Sequence, residues 1–292
     1  MKAPHLHFVT GKGGVGKSTF SLALAEKLAA EGKKTLLVDL ADSELFKCVF
    51  DLKKMTYEPQ KVRNNLFLSY WSGSDCLREY IKYFIKIEAL TALFFENPVT
   101  RALVNTAPAL KELAILGKAT SAHRGHGPKF EFDQVVIDSY STGHFLALLR
   151  APKGMSRIIK KGPMGDQSKK ILDVLLKPEW VTYHIVTLSE DLPMKESLEL
   201  RETLKDEFGI KAQFALNRFI NSEFTSSQFK KLNSKSADHS FHKIFTDRLK
   251  QQEESLETLR ESSKNIVKLD FQSEIDGKTL PDALTFEGKN GF

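Results

Sequence analysis

The stretch that decides the fold is HLHFVTGKGGVGKSTFSLALAEKLAA, His5 to Ala30, followed closely by TLLVDL, Thr35 to Leu40. A short apolar run ends at glycines, a helical pattern covers Ser18 to Ala30, and a second apolar run follows. The order is strand, loop, helix, strand. Both runs are nearly continuous rather than alternating, the pattern of strands buried on both faces of a parallel sheet. FDQVVIDSY (Phe132–Tyr140), VTYHIVTL (Val181–Leu188) and KAQFALNRF (Lys211–Phe219) have the same character, and NLFLSYW (Asn65–Trp71) and NIVKLDF (Asn265–Phe271) are weaker examples. Helical stretches separate most of them, so the expected fold is α/β, a doubly wound, mostly parallel sheet.

Between the first strand and helix, Gly11-Lys12-Gly13-Gly14-Val15-Gly16-Lys17-Ser18 fits the pattern G-x-x-x-x-G-K-[ST] in the context that gives it meaning. Glycines let such a loop turn its backbone N–H groups around phosphate oxygens, and the helix that begins near Lys17 adds the positive end of its dipole. In this arrangement Lys17 neutralises the β and γ phosphates, Ser18 ligates Mg²⁺ and Thr19 lies at the α phosphate. The pattern implies a nucleoside triphosphate and Mg²⁺ as ligands, with Gly13, Gly14, Val15 and Gly16 forming the cradle.

Two acids are placed to complete the site. Asp39 ends the second strand at the carboxyl edge, where doubly wound sheets bind ligands, and an acid there can orient a water opposite the γ phosphate. Asp42 or Ser43 just beyond also suits a helix N-cap. Asp138 follows the apolar run VVI, the position of a carboxylate that supports Mg²⁺, and Ser139 to His144 form a second switch segment.

Lys12, a second lysine inside the loop, exceeds what the simple pattern requires. The form K-G-G-V-G-K-S resembles the deviant Walker A group, which includes ParA, MinD, the nitrogenase iron protein and the ArsA family. In that group the early lysine reaches across a dimer interface to the partner's nucleotide, so the resemblance implies a dimer. DSYSTGHFLALLRAP (Asp138–Pro152), TLSEDLPMKESLELRETL (Thr187–Leu204), Asn217 at a strand end and APALKELAILGK (Ala107–Lys118) are similar to segments of the ArsA and tail-anchored-protein targeting ATPases, with the bacterial ArsA-like type the nearest match. The resemblance implies ATP as the nucleotide, Asn217 reading the adenine edge, and Glu190 and Glu196 shaping the interface or the ribose pocket. Leu40 and Asp42 depart from the family's D-P-A-H-S switch, Tyr140 and Ser141 replace its Ala-Pro, and its C-x-x-C zinc pair is missing. A homodimer or a heterodimer with a related ATPase would therefore be held by other contacts.

The whole of residues 1–292 reads as a single P-loop ATPase domain with a helical insertion at about 75–120. There Leu77, Tyr80, Ile81, Phe84, Ile85 and Ile87, then Leu90, Leu93, Phe94 and Phe95, make an apolar stripe broader than one core face requires. It suits either a helical layer packed on the sheet or an exposed groove for an apolar protein client. A charged helix is expected over Leu249–Ser262 and a loose tail over Asp276–Phe292.

At 41% hydrophobic residues the chain can bury a core, and no run reaches the eighteen apolar residues of a membrane span. A strand at the N-terminus argues against a signal peptide, and the expected location is cytoplasmic. The net charge of +6 spreads 43 basic residues among 37 acidic ones, a solvated surface rather than a basic stripe for nucleic acid or anionic lipid. Cys48 and Cys76, the only two cysteines, form no metal or disulfide motif. His123/His126 and His239/His242 have ligand-like spacing but lie in polar stretches without dense acids. A positioning ATPase of the ParA or MinD kind, acting on DNA or a membrane surface, is the alternative reading. A small-molecule kinase or ligase is a third, without a polar substrate pocket that the sequence reveals.

Overall fold

A computed structural model describes residues 3–84, 108–158, 163–222, 225–228, 239–272 and 281–287. Among these, the chain runs β1 (His5–Gly11), α1 (Lys17–Ala30), β2 (Thr35–Asp39), α2 (Glu44–Val49), β3 (Gln60–Arg63), β4 (Leu66–Tyr70), α3 (Gly73–Phe84), α4 (Pro108–Ala119), α5 (Ser121–Arg124) and β5 (Gln134–Ser141). It continues as α6 (Thr142–Ile158), α7 (Pro163–Leu175), β6 (Val181–Thr187), α8 (Asp191–Phe208), β7 (Gln213–Phe219), α9 (His239–Ser262), β8 (Ile266–Asp270) and β9 (Leu284–Glu287).

The strands form one sheet in the order β3-β4-β2-β5-β1-β6-β7-β8-β9. Inner neighbours pair parallel, and the edge pairs β3–β4 and β8–β9 are antiparallel. The expected doubly wound α/β fold is therefore the observed one. From β1 the chain first moves outward through β2, then β5 returns to lie between β2 and β1, and β6 to β8 extend the other side. That reversal opens the crevice at the carboxyl ends of β1, β2 and β5, where the P-loop begins.

Strand residues alternate between two cores, which explains the continuous apolar runs. Leu6, Phe8, Leu36, Val38, Val135 and Ile137 belong to one buried cluster, and Val9, Leu37 and Val136 to the other. The helix after the P-loop, α1, is buried nearly all round, with Phe20, Leu22, Leu24 and Leu28 fully inaccessible. A polar seam lies under it. His7 Nδ1 is 3.2 Å from His184 Nε2 and His7 Nε2 is 3.0 Å from Gln134 Oε1. Burial, helped by the neighbouring His5, pushes His184 down to about 3, so the seam is neutral at ordinary pH.

On the other face, α3 and α4 bring Leu77, Tyr80, Leu113, Leu116 and Ala119 into the main core, with Ile81 packed against it. The described part of the insertion is thus a helical layer covering the sheet, held at Gly117 by the close approach of Tyr80. The rest of the expected apolar stripe, from Phe84 to Phe95, and the paired His239 concern side chains outside the described residues.

The terminal segment corrects one expectation. Residues within the expected loose tail, Leu284–Glu287, form a strand on β8, because Ala283 and Leu284 bury against the core and the Glu287 carboxylate receives Arg260 and Lys268. Among the described residues no helix is long and apolar enough to cross a membrane.

Candidate functional site

Gly11 ends β1 with φ of 148°, and a Cβ there would lie 2.3 Å from the carbonyl oxygen of Val186 on β6. Only glycine lets the chain leave a strand that is paired on both sides. Gly16 precedes α1 in the left-handed region, φ 87°, and an added Cβ would meet the Asn217 amide at 2.1 Å. The loop between them is therefore shaped by contacts to two strands that lie far away in sequence.

Beneath the loop, Asp138 of β5 is buried. Its Oδ2 accepts the Ser18 hydroxyl at 2.6 Å and its Oδ1 accepts the Ser21 hydroxyl at 3.0 Å. Burial pushes its carboxyl up to about 7; the two hydroxyls pull it down, and neighbouring Asp39 pushes it up. Asp39 sits beside it because β2 and β5 pair in register at these two residues. The Asp39 carboxylate, also raised by burial, accepts the backbone N–H groups of Ala41 at 2.8 Å and Ser43 at 2.5 Å, so it shapes the loop after β2. The Ser43 and Asp42 side chains make no cap bond on α2, and Asp42 instead adopts φ 57° and pairs with Lys47.

The two loop lysines are held differently. Lys17 Nζ donates to the carbonyl of Lys12 at 3.2 Å, folded back over the loop, and burial lowers its pKa against the pull of Asp138. Lys12 Nζ instead contacts Glu196 Oε1 of α8 at 2.6 Å within the same chain. Two ammonium groups on the loop and two carboxylates at the neighbouring strand ends are the charges that a polyanion accompanied by a divalent cation calls for.

Mg²⁺ fits the donors. Ser18 and Asp138 offer hard oxygens at one point, and no group of three or more His, Cys, Asp or Glu that could hold a metal occurs among the described residues. Remaining coordination would fall to phosphate oxygens and water, as this ion prefers. The described histidines do not form such a site: His123 packs on Trp180, where burial pushes it down to about 4.

Asn217 lies where the sequence placed it, at the carboxyl end of β7, but its amide faces the P-loop. Nδ2 donates to Val15 O at 2.8 Å, and Oδ1 accepts the N–H of Arg218. Sequence reasoning missed Ser21, which shares Asp138 and could have been found from its i, i+3 spacing to Ser18 on α1. It also missed a link out of the site. Thr10 Oγ1 donates to Tyr140 O at 2.9 Å, the Tyr140 ring stacks on His144 at 3.7 Å between centroids, and His144 Nε2 lies 3.3 Å from Glu112 Oε1 on α4. Nothing local to Glu112 marks it as a partner of His144.

Comparison with known proteins gives the chain a family. The family model of the anion-transporting ATPases, ArsA_ATPase, matches residues 5–164, which hold β1, the P-loop, Asp39, Asp138 and the segment after β5. The chain is 31% identical to the ATPase BagA of Mycobacterium tuberculosis over 209 residues, 68% of this chain and 60% of that protein. It is 26% identical to a putative arsenical pump-driving ATPase of Halobacterium salinarum over 273 residues, covering 87% of this chain and 39% of the relative. The arsenical pump-driving ATPase of Escherichia coli is 25% identical over 244 residues, 78% of this chain and 41% of the relative. The matches thus span about 60% or less of the length of these relatives. With the P-loop, its two lysines and both strand-end aspartates inside the matched segment, the chain belongs to the anion-transporting, ArsA-type ATPase family.

Proposed function

We propose that this chain binds Mg·ATP, hydrolyses it, and works as a nucleotide-switched dimer whose helical layer carries the signal to a protein client. The observation that carries the reading is the convergence of Lys17, Ser18, Asp39 and Asp138 at the carboxyl edge of β1, β2 and β5. Lys17 holds the β and γ phosphates, the P-loop backbone from Gly13 to Gly16 wraps them, and Thr19 lies at the α phosphate. Mg²⁺ at Ser18 and Asp138 supplies the charge that offsets the triphosphate. Asp39 orients the attacking water, since it is the buried carboxylate that ends β2 beside Asp138 and holds the loop that follows.

Asp39→Asn is expected to lower the turnover number by about 10²- to 10³-fold, the usual contribution of a positioned acid or base. ATP affinity should stay within about threefold, because phosphate contacts are untouched. Phosphate release at the wild-type rate would exclude this role.

In the single chain Lys12 is occupied by Glu196. Pairing exchanges that contact for the partner's nucleotide, in a homodimer or with a related subunit. Lys12→Ala should therefore weaken ATP-dependent association by about tenfold or more, as a charge-assisted contact to phosphate is worth more than about 1.4 kcal/mol. Light scattering with and without ATP reads this directly, and an undiminished dimer would dismiss the cross-subunit contact.

The route outward passes through Tyr140, His144 and Glu112 to α4, so closure of the switch around a γ phosphate shifts the layer formed with α3. An arsenical cargo gains no support from this chain. Arsenic needs clustered soft thiolates, whereas Cys48 is exposed and Cys76 buried, both as free thiols.

A further inference from the structure

Packing alone does not account for Ser21. It lies in α1 with no accessible surface, among Phe20, Leu22 and Leu24, which are equally buried. A hydroxyl in such surroundings is costly unless it is bonded, and alanine suits a helix interior better than serine. Serine inside a helix often turns its hydroxyl back to the carbonyl one turn earlier. Ser21 does not. Its Oγ donates to Asp138 Oδ1 at 3.0 Å, across to β5.

Ser18 stands one turn before it on the same face of α1 and donates to the other oxygen, Oδ2, at 2.6 Å. One helix therefore grips the carboxylate at both oxygens. The torsion that carries an aspartate carboxylate is broad, so a single hydrogen bond leaves its plane free to swing. Two donors on two oxygens fix it. A serine hydroxyl has one hydrogen and two lone pairs, so Ser18, with its hydrogen committed to Oδ2, has only lone pairs left for any other partner.

We propose that Ser21 is the positioning residue that gives this site its preference for Mg²⁺ over larger divalent cations. Ser21 is too deep to touch a ligand and acts through Asp138. By holding Oδ1 it keeps Oδ2 on the Ser18 hydroxyl, and the two hard oxygens stay in one fixed relation. Mg²⁺ demands near-octahedral geometry at about 2.0–2.1 Å, whereas Ca²⁺ accepts more oxygens in flexible arrangements. A rigid pair favours the smaller ion, and loosening the pair penalises Mg²⁺ more than Ca²⁺. This role rests on Ser18 and Asp138 being the Mg²⁺ pair, as proposed above, and names what holds them in register.

Titration calorimetry of ADP into the full chain, with Mg²⁺, with Ca²⁺ and in EDTA, tests it without hydrolysis. The wild type is expected to bind ADP most tightly with Mg²⁺, less so with Ca²⁺ and least in EDTA. Ser21→Ala should lose about 10-fold of the Mg²⁺-dependent gain, the usual effect of removing a partner that orients a metal ligand. Its ADP affinity in EDTA and its Ca²⁺ gain should each stay within about threefold of wild type. Ser21→Cys nearly keeps the volume and replaces a strong donor with a weak S–H one, so its Mg²⁺ gain should fall between the two. It provides the reading if the alanine variant does not fold. A merely structural role for Ser21 lowers affinity in all three conditions alike. That result, a wild type indifferent between the two cations, or an unchanged Mg²⁺ gain in whichever variant folds would overturn the role of Ser21. If instead Mg²⁺ adds nothing to ADP binding in the wild type, the reading of Ser18 and Asp138 as its ligands falls, and the role of Ser21 with it.

Discussion

Replacing Lys17 with alanine is expected to reduce ATP affinity by more than about 100-fold while leaving the fold intact. Charge-assisted hydrogen bonds are each worth about 1.5–3 kcal/mol, and in the proposed site Lys17 would supply them to two phosphates at once. The unliganded chain already shows what the side chain costs: burial lowers its pKa, so its ammonium is partly desolvated and waits over the Lys12 carbonyl. Removing it relieves that desolvation in the free protein and removes the counter-charge in the bound one. Both changes act against binding, and neither breaks a core contact, so the melting temperature of the free protein should move by only a few degrees. Titration calorimetry with Mg·ATP is the direct measurement, and an affinity within tenfold of wild type would exclude the P-loop as the phosphate site.

Gly11→Ala is expected to cost stability on the scale of the largest single substitutions, about 4 kcal/mol or more. The added Cβ would stand 2.3 Å from a backbone oxygen, that of Val186, and 3.3 Å from Val15 Cγ2, at a φ of 148° that L side chains avoid. A flexible side chain could swing away from such a clash. Val186 cannot, because β6 pairs with β1 on one side and β7 on the other. Relief would require β1 and β6 to part in the middle of the sheet, where Val9, Val186 and Ala215 are fully buried. Since marginal stability is about 5–15 kcal/mol, the variant should unfold at much lower urea or fail to accumulate. An unchanged urea midpoint would show that the strand end is free to adjust.

Much of this was legible in the order of residues. The unit from β1 through the P-loop to α1 is local, so its glycines, lysines and helix start could be read from spacing, and α1 begins at Lys17 as expected. The inner parallel strands were legible for a different reason. They are buried on both faces, so each is a continuous apolar run. Edge strands have no such signature. Gln60–Arg63 is polar and half-exposed, and Leu284–Glu287 buries only its first residue, so both are strands because a neighbour offers free backbone groups. In the site, Asp39 and Asp138 were readable as acids ending apolar runs. Their partners were not, since Ser21 and Asp138 are separated by 117 positions and Lys12 and Glu196 by 184.

By itself, the sequence determined the α/β class, the parallel inner sheet, the place of the glycine-rich loop between β1 and α1 and the identity of the two strand-end aspartates, because each depends on periodicity or spacing within a few tens of residues. Only the tertiary structure decided that Lys12 is paired with Glu196, that Asn217 braces the loop, and that the segment after β5 touches α4 through His144 and Glu112. Those facts depend on which strands become neighbours and how far each helix carries a side chain across the sheet edge, and chain order alone does not encode that distance.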